Sequence, residues 1–384
     1  MKSHPSPPRV QDLFKKSYLF FLLLTFGLSS CLDPIDLDPP DGLEDALVVQ
    51  AILLKGQPNR IDVKVDRLFN FDLTSFTRVT PLAGFIVDED GNRLELEGRG
   101  EGILRLDIPD DHPDFPIKYS RSYKIELQMP NGSVIVSSLE PLIPVTRIDS
   151  IHSDILLKFV PDPQDRDQSV LDTFLRFSVD TQLKLEDQED YARFRWFADR
   201  TFKFTELTQF DPPQDTCYIT EATDLFQPRL FDANVLKNDY LNKQTVFDQR
   251  VNFKLAEGYV FSLFQESLSE GAFIYWSQID QLLNRTGDMF ETPAGIPFTN
   301  ISYTDEREER LYGYFYCTER DTLRKYIPPS AILPPQNSLC PQFEGEDEFP
   351  DICIECEQEP RTTTSPPPFW ITGASFFNTL LLGL

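Results

Sequence analysis

The sequence predicts a mainly β protein, with an N-terminal immunoglobulin-like β-sandwich followed by a larger antiparallel β domain that carries one amphipathic helix. Its 384 residues include 32 Phe and 31 Pro but only three Met, a composition that favours strands and turns over long helices. Apolar and polar residues alternate over short runs, which is the period of a half-buried strand. Turn-forming residues separate these runs at the intervals typical of small sandwiches.

The N-terminus is typical of a bacterial secretory signal that ends at a lipid-attachment cysteine. Basic residues precede an apolar run, Tyr18–Gly27, and the small residues Ser29 and Ser30 lead into Cys31. A membrane-spanning helix needs about 20 apolar residues, so this run is too short to cross a bilayer. We therefore expect residues 1–30 to be a cleaved signal peptide and Cys31 to carry the lipid. The alternative is an ordinary signal peptide followed by a chance cysteine.

Residues 31–45 are predicted to form an acidic, proline-rich tether between the lipid and the folded part. Three prolines and four aspartates occur between residues 32 and 41, a pattern that excludes a helix or a central strand. The aspartates lack the ligand order of an EF-hand calcium loop, so a linker is the preferred interpretation.

Residues 46–145 are predicted to be the immunoglobulin-like sandwich. Ile61, Val63 and Val65 alternate with charged residues, which is typical of a half-buried strand. Asn131-Gly132 lies between two alternating runs, and both residue types tolerate the positive φ that a two-residue hairpin needs. Strands and turns at this spacing favour a sandwich.

Residues 146–330 are predicted to be the second β domain, with a helix near residues 270–285. Phe273, Trp276, Ile279 and Leu283 recur at helical spacing behind Ser269-Glu270, and Gly287 follows as a stop signal. Residues 331–384 are rich in proline and cysteine, and we expect them to be irregular and held by cysteines.

Five cysteines besides Cys31 are candidates for disulfides, because an exported chain folds in an oxidising compartment. They are Cys217, Cys317, Cys340, Cys353 and Cys356. Five is an odd number, so at least one thiol stays unpaired. Half of a zinc site and a redox pair are the alternatives for the C-x₂-C of Cys353 and Cys356. No histidine lies beyond His152, and the neighbouring acidic residues raise thiol pKa values, so structural disulfides are preferred.

The charge and the motifs exclude several functions. The formal net charge of −26 disfavours nucleic acid and anionic lipid headgroups as partners. The charge is interpreted as aiding solubility, with attraction of cations as the alternative. His112 and His152 lie outside any H-E-x-x-H motif, and the sequence has no nucleophile elbow and no P-loop. We therefore expect a protein that is not an enzyme, with no cofactor and no metal.

Aromatic residues are the remaining candidates for ligand contacts. Trp196, Trp276 and Trp370 could each stack on a sugar ring. The helical spacing of Trp276 predicts a core position, whereas Trp370 follows a proline run and is expected to be exposed. Trp370 is therefore the weak candidate for ligand binding. The apolar tail, residues 371–384, could dock on the body, lie on a membrane or insert into a partner.

Several segments, taken together in order and spacing, resemble a family of Bacteroidota outer-membrane lipoproteins of unknown function, DUF4249. They are Leu47–Val49, Ile148–Ile151, Tyr275–Ile279, Gly287–Pro293, Asn300–Ser302, Glu309–Phe315, Cys353–Cys356 and Pro368–Trp370. The chain departs from the family pattern in a less cysteine-rich end and in its apolar tail.

The resemblance implies a lipid-anchored protein of the outer membrane, expected at the cell surface. Proteins of this kind are often encoded beside TonB-dependent, SusC-like transporters. The expected function is therefore an accessory partner of such a transporter barrel in nutrient uptake. A stand-alone surface lipoprotein that binds a glycan or a peptide is the alternative, and a carboxylate-pair hydrolase is the third hypothesis.

Overall fold

The computed structural model describes residues 46–67, 78–162, 165, 167–185, 191–206, 215–223, 229–236, 238–284, 297–307, 309–340 and 350–370. The predicted signal peptide, Cys31, the tether and the apolar tail lie outside these residues. The described part is mainly β, as predicted. No helix in it is long and apolar enough to cross a membrane.

The secondary structure consists of strands β1–β19 and two α-helices within the described ranges. The strands are β1 (Leu47–Lys55), β2 (Asn59–Arg67), β3 (Ala83–Asp88), β4 (Arg93–Glu95), β5 (Glu97–Gly98), β6 (Ile103–Ile108), β7 (Ser122–Gln128), β8 (Val134–Ser137), β9 (Glu140–Pro141), β10 (Ile148–Pro161), β11 (Ser169–Gln182), β12 (Arg193–Thr205), β13 (Thr216–Ala222), β14 (Arg229–Asp232), β15 (Tyr240–Arg250), β16 (Tyr259–Ser267), β17 (Ile301–Tyr303), β18 (Leu311–Ile327) and β19 (Thr362–Thr363). The helices are α1 (Ala233–Leu236) and α2 (Glu270–Leu283).

These strands form three sheets. The largest has the order β19-β13-β12-β16-β18-β1-β2-β6-β5, and β14 also pairs with β12. A second sheet has the order β17-β8-β7-β3-β4, with β9 beside β7, and the third is β10-β11-β15. The pair β1 and β18 is parallel, with Val49 opposite Gly313, and it joins the first strand of the fold to the last long one.

The first hydrophobic core lies between the β1-β2-β6 part of the large sheet and the second sheet. Side chains from both sheets bury in it, among them Val49 and Ile61 from one side and Ile125 and Ile135 from the other. Two facing sheets with a shared core are a β-sandwich. The finer assignment, an immunoglobulin-like topology, stays a prediction.

The second core lies between the other half of the large sheet and the β10-β11-β15 sheet. It is rich in phenylalanine, and the rings of Phe177 and Phe261 stack with centroids 4.2 Å apart. Strands from two sheets thus face each other here as well.

The two cores share residues from both sides of position 145, and the division into two domains there stays a prediction. Ile301, Phe315 and Cys317 return to the first core. Strand β18 is 17 residues long, and its later residues Leu323 and Ile327 pack in the second core. A strand of this length spans both cores, so Glu44–Leu384 form one compact unit.

Two local predictions are confirmed. The chain turns at Asn131-Gly132 from β7 into β8, and Gly132 has a φ of 83°. The helix predicted near 270–285 is α2, where the Ser269 Oγ caps the helix by accepting a hydrogen bond from the Ala272 N–H at 3.1 Å. The predicted stop at Gly287 lies outside the described residues.

The described part of the C-terminal segment, residues 331–340 and 350–370, has little regular structure, as predicted. Short 3₁₀ turns occur at Pro329–Ala331, Asp351–Cys353 and Cys356–Gln358. The disulfide from Cys217 in β13 to Cys356 ties this segment to the large sheet, and the disulfide Cys340–Cys353 closes a loop within it.

Candidate functional site

A cleft of about 390 Å³ lies where α2 packs on the large sheet. Strands β1, β2, β6, β12 and β18 form its sheet side, and α2 forms the opposing wall. Side chains alternate between the two faces of a strand, so Phe315 and Cys317 enter the first core while Tyr314 and Tyr316 turn to the cleft. This volume falls in the range of small-molecule sites.

Four aromatic side chains form the walls of the cleft. Tyr275 stacks on Tyr314 with ring centroids 5.1 Å apart and an angle of 24° between the planes. Trp276 meets Tyr316 edge to face at 6.2 Å. One helix–strand pair is therefore stacked and the other is edge to face, so the walls are aromatic on both sides, a composition suited to contacting a ring.

Arg195, from β12, is the central cation of the cleft. Its guanidinium carbon lies 4.0 Å from the centroid of the Trp276 ring, within cation–π range. Nη2 donates a hydrogen bond to the Tyr316 hydroxyl at 2.8 Å, and Nε donates to the Glu266 carboxylate at 2.7 Å. The side chain is only 16% exposed, so these contacts hold the guanidinium in one position.

Glu266 lies fully buried behind the cleft, between two guanidinium groups. Arg320 Nη2 donates to Glu266 Oε1 at 2.6 Å, while Arg195 occupies the other oxygen. Burial alone raises the pKa of Glu266, but the charges of Arg195 and Arg320 outweigh it and hold the pKa below its usual value. The ionised triad has two positive charges and one negative charge, which leaves one positive charge.

Two more cations line the cleft mouth on β2 and β6. Lys64 pairs with Asp66 at 2.8 Å, and Arg105 pairs with Asp62 across the two strands. The lining thus contains Arg195, Lys64 and Arg105 against a single carboxylate, Asp62. Because the whole chain has a net charge of −26, this concentration of cations is a local reversal of its electrostatics.

One buried donor at the cleft has no partner. Within the described part of the chain, the indole Nε1 of Trp276 is buried and makes no hydrogen bond. An unpaired buried donor costs about 1–3 kcal/mol, so such a group is a marker of a ligand contact or of strain.

A second buried carboxyl supports the cleft from below. Glu140 accepts hydrogen bonds from the hydroxyl of Tyr314 and from Ser269 Oγ, the latter at 2.6 Å. Asn300 Nδ2 also donates to Glu140, at 3.4 Å. Burial raises the pKa of Glu140, and these hydrogen bonds offset only part of that rise. Glu140 therefore couples the helix cap at Ser269 to the cleft tyrosine.

Two of the segments that carry the family resemblance meet at this cleft, and a third contacts one of them. Tyr275 and Trp276 lie on α2, and Tyr314 lies on β18. Asn300 joins the neighbouring segment to β18, since it donates to the Phe315 carbonyl at 2.8 Å and accepts from the Phe315 N–H at 2.9 Å. Segments that are well separated in the chain are therefore in contact at one place.

The cysteine predictions are corrected at one position. Cys217–Cys356 and Cys340–Cys353 are disulfides, whereas Cys317 is an unpaired, buried thiol in the first core. Its Sγ donates to the Glu140 carbonyl at 3.5 Å, the core side chains around it are apolar, and no second sulfur within the described residues reaches it. Burial raises the pKa of the Cys317 thiol well above its usual value, so it stays protonated.

The C-x₂-C is a structural element, because each of its sulfurs bonds to a distant cysteine rather than to the other. Glu206, Cys217 and Cys356 form the one described cluster with the spacing of metal ligands. Its two sulfurs are joined to each other, so neither is available as a thiolate.

Trp370 is not exposed, contrary to the expectation from its proline-rich context. Its side chain is 9% exposed and packs edge-on against Tyr218, with ring centroids 4.9 Å apart, and against Tyr326 at 5.7 Å. Gly258 makes room for it, since a Cβ there would lie 3.2 Å from the indole. Trp276, expected in the core, is half-buried: it packs against a small apolar cluster around Ala272 and also lines the cleft.

The two histidines have structural contacts. His112 Nδ1 accepts a hydrogen bond from the Phe115 N–H at 3.0 Å, which closes a turn. His152 lies beside Ser150 and Asp180, but both contact the same ring nitrogen, Nε2, at 3.1 and 2.6 Å. In a nucleophilic triad the serine and the carboxylate use opposite ring nitrogens, so this cluster lacks that arrangement.

The sequence analysis missed Arg195, Glu266, Tyr275 and Tyr316 as site residues. A usable signal was present for one of them. Glu266 is the one charged residue of β16, and a buried charge needs a partner, whereas Arg195 lies in a strand with several other charged residues. Tyr275 and Tyr316 have no such signal, because aromatic residues are common throughout the chain.

These features define a mainly β protein with an aromatic, cation-lined cleft between a helix and a long sheet. A family model described as a domain of unknown function, DUF4249, matches residues 32–324, and the chain belongs to that family. The matched region contains both sheets of the first core and every residue that lines the cleft. No curated protein and no solved structure matches the chain significantly.

Proposed function

We propose that this chain is a lipid-anchored accessory protein of the outer membrane that holds a small ligand for a TonB-dependent, SusC-like transporter. The observation that carries the ligand-binding part is the aromatic cleft, with Arg195 held over Trp276 at 4.0 Å. Fixed aromatic walls and a fixed cation provide apolar area and one oriented polar contact, which is the usual composition of a small-molecule site.

The anchoring part is supported by the sequence. A basic start, a short apolar run and Ser29-Ser30-Cys31 form a lipoprotein signal, and the acidic segment behind it is suited to a tether. Several acyl chains on one residue make a lasting anchor, since each buried CH₂ contributes about 0.8 kcal/mol. The transporter partnership is supported by the resemblance to lipoproteins encoded beside such transporters.

Co-purification tests this proposal. A tagged full-length chain, solubilised in mild detergents, is expected to recover a large outer-membrane barrel together with the lipoprotein. A Cys31→Ala chain, which cannot be lipidated, is the matched control, and we expect it to lose both membrane retention and the barrel. Recovery of the lipoprotein alone across several detergents would count against the partnership, and normal processing of Cys31→Ala would count against the anchor.

A stand-alone binding lipoprotein is the second candidate, and the same cleft favours it. The two candidate functions differ in whether the cellular role of the protein depends on the transporter. A stand-alone binder retains its ligand affinity and its cellular role when the neighbouring transporter is deleted, whereas an accessory protein loses the role and keeps the affinity. Uptake of the ligand by cells that lack the transporter separates the two.

A further inference from the structure

We propose that the cleft beside α2 selects a small organic anion in which a carboxylate lies next to a flat ring. This inference rests on the proposed function of ligand binding and names its ligand class. A free aryl acid and the C-terminus of a peptide that ends in an aromatic residue share this chemistry.

The preference for a flat ring follows from the side chains that form the walls of the cleft. Tyr275 and Trp276 from the helix and Tyr314 and Tyr316 from β18 enclose the space, while Ile52 adds aliphatic surface on the sheet side. Aromatic walls favour a planar group, because a ring can stack on their faces or meet their edges. The volume of about 390 Å³ accommodates one or two rings.

The preference for an anion follows from hydrogen-bond donors at the cleft that have no acceptor. Arg195 uses Nε and Nη2 for Glu266 and Tyr316, and within the described residues its Nη1 donates no hydrogen bond. The indole Nε1 of Trp276, on the ring that lies 4.0 Å from this guanidinium, is likewise unpartnered. Both residues line the cleft, and unpartnered donors suit an anion such as a carboxylate, because a hydrogen bond to a charged group is stronger than one to a neutral group.

The sum of the charges around the cleft is also positive. Lys64 and Arg105 lie at the mouth, and each is paired with a carboxylate on a neighbouring position of the sheet. The triad behind the cleft retains one positive charge, because Glu266 neutralises only one of its two arginines. An anion that enters from solvent therefore moves towards a net positive site in an otherwise acidic protein.

Calorimetric titration of the full mature protein in detergent, at about 0.15 M salt, tests this. The probes are two acids and their amides: phenylacetate with phenylacetamide, and N-acetylphenylalanine with N-acetylphenylalaninamide. We expect at least one acid to bind and its amide to bind about tenfold more weakly. The first pair reports a free aryl acid, and the second reports a peptide terminus. Equal affinity of acid and amide, or binding of neither acid, would overturn the proposal.

Two substitutions assign the binding to this cleft. Trp276→Phe keeps the ring and removes the indole N–H, and it is expected to weaken binding of the acid about tenfold while leaving the amide little changed. Lys64→Gln removes a rim charge and is expected to weaken the acid about threefold. Lys64 is 37% exposed, so its substitution keeps the test independent of core packing.

Lys124→Gln is the matched control for Lys64→Gln. Lys124 also lies on a strand, pairs with the carboxylate two residues on at 2.7 Å and is 32% exposed, but it belongs to β7 in the second sheet. We expect it to leave the affinity unchanged, and an equal loss in both lysine variants would overturn the assignment. Acid binding without a co-purified barrel would contradict the transporter partnership alone, and a barrel without acid binding would contradict the ligand class alone.

Discussion

Arg195 of β12 and Trp276 of α2 are separated by a long stretch of chain, yet the guanidinium carbon lies 4.0 Å from the indole centroid. The contact fixes the helix on the large sheet and at the same time forms the cleft. Because Arg195 is also hydrogen-bonded to Glu266, the position of the aromatic wall depends on a buried ion pair.

The Arg195–Glu266–Arg320 triad is expected to be sensitive to the loss of one member. Glu266→Gln leaves two buried or half-buried guanidiniums without their shared carboxylate, and breaking a buried pair costs about 3–5 kcal/mol of unfolding free energy. Urea unfolding measures this loss. Glu126→Gln, which breaks the half-exposed Lys124–Glu126 pair, is the control, and we expect little change there. A small loss for Glu266→Gln would mean that the triad is solvated.

Glu140 and Glu266 are expected to contribute to stability with opposite pH dependence. Burial raises the folded pKa of Glu140 above 4.5, so its contribution is present at low pH and is lost as the pH rises through the folded pKa. The folded pKa of Glu266 lies below 4.5, so its contribution is present above that pH and is lost as the pH falls through the folded pKa.

The variants Glu140→Gln and Glu266→Gln allow these two pH dependences of stability to be measured. The unfolding free energy of the wild type minus that of Glu140→Gln is expected to fall as the pH is raised above about 4.5. The same difference for Glu266→Gln is expected to fall as the pH is lowered below about 4.5. Each variant controls for the other, and slopes of the same sign would contradict the assignment.

The number of thiols that react with a thiol reagent is expected to show whether Cys317 is buried and whether Cys31 is lipidated. In the native mature protein a thiol reagent such as dithionitrobenzoate should find no reactive group, since Cys317 is buried and its pKa is raised. After unfolding without reductant, we expect one thiol per chain, because four cysteines are in disulfides and a lipidated Cys31 is blocked. Rapid labelling of the native protein would contradict the burial of Cys317, and two thiols after unfolding would contradict lipidation.

Gly313 is expected to tolerate no side chain. It has a φ of 100°, and a Cβ would lie 1.9 Å from the Val49 carbonyl oxygen on the parallel partner strand. Gly313→Ala should therefore separate β1 from β18 and cost more than about 3 kcal/mol or prevent folding. Gly132→Ala is the matched control, with a φ of 83° and open space around the new Cβ, and we expect a loss of about 1–2 kcal/mol. Thermal unfolding measures the loss of stability in both variants. Equal losses would mean that the positive φ alone, and not the contact with Val49, determines the cost of the substitution.

Local features were predictable because their causes are local. The Asn131-Gly132 hairpin follows from residues that tolerate positive φ, and α2 follows from a capping serine before apolar residues at helical spacing. The buried alternation of Ile61, Val63 and Val65 likewise follows from the two-residue period of a strand.

What the sequence did not predict depends on packing between residues that are far apart in the chain. Trp370 is buried because Tyr218 and Tyr326, which are distant in the chain, pack against it. Cys317 is unpaired because the alternation of β18 directs it into the first core, away from the other cysteines. The same strand is long enough to pack in both cores, which no local pattern predicts.

The sequence by itself determined the mainly β class, the helix with its cap and the presence of a cysteine-held end, because propensity, period and spacing act over a few residues. Only the tertiary structure decided which cysteines pair, that β1 lies parallel to β18, and that Arg195, Trp276 and Tyr316 surround one cleft. These residues come from separate strands and a helix, and their contacts depend on how the faces of β18 divide between a core and α2. No local pattern in the chain contains that information, since it arises when hydrophobic burial brings distant segments together.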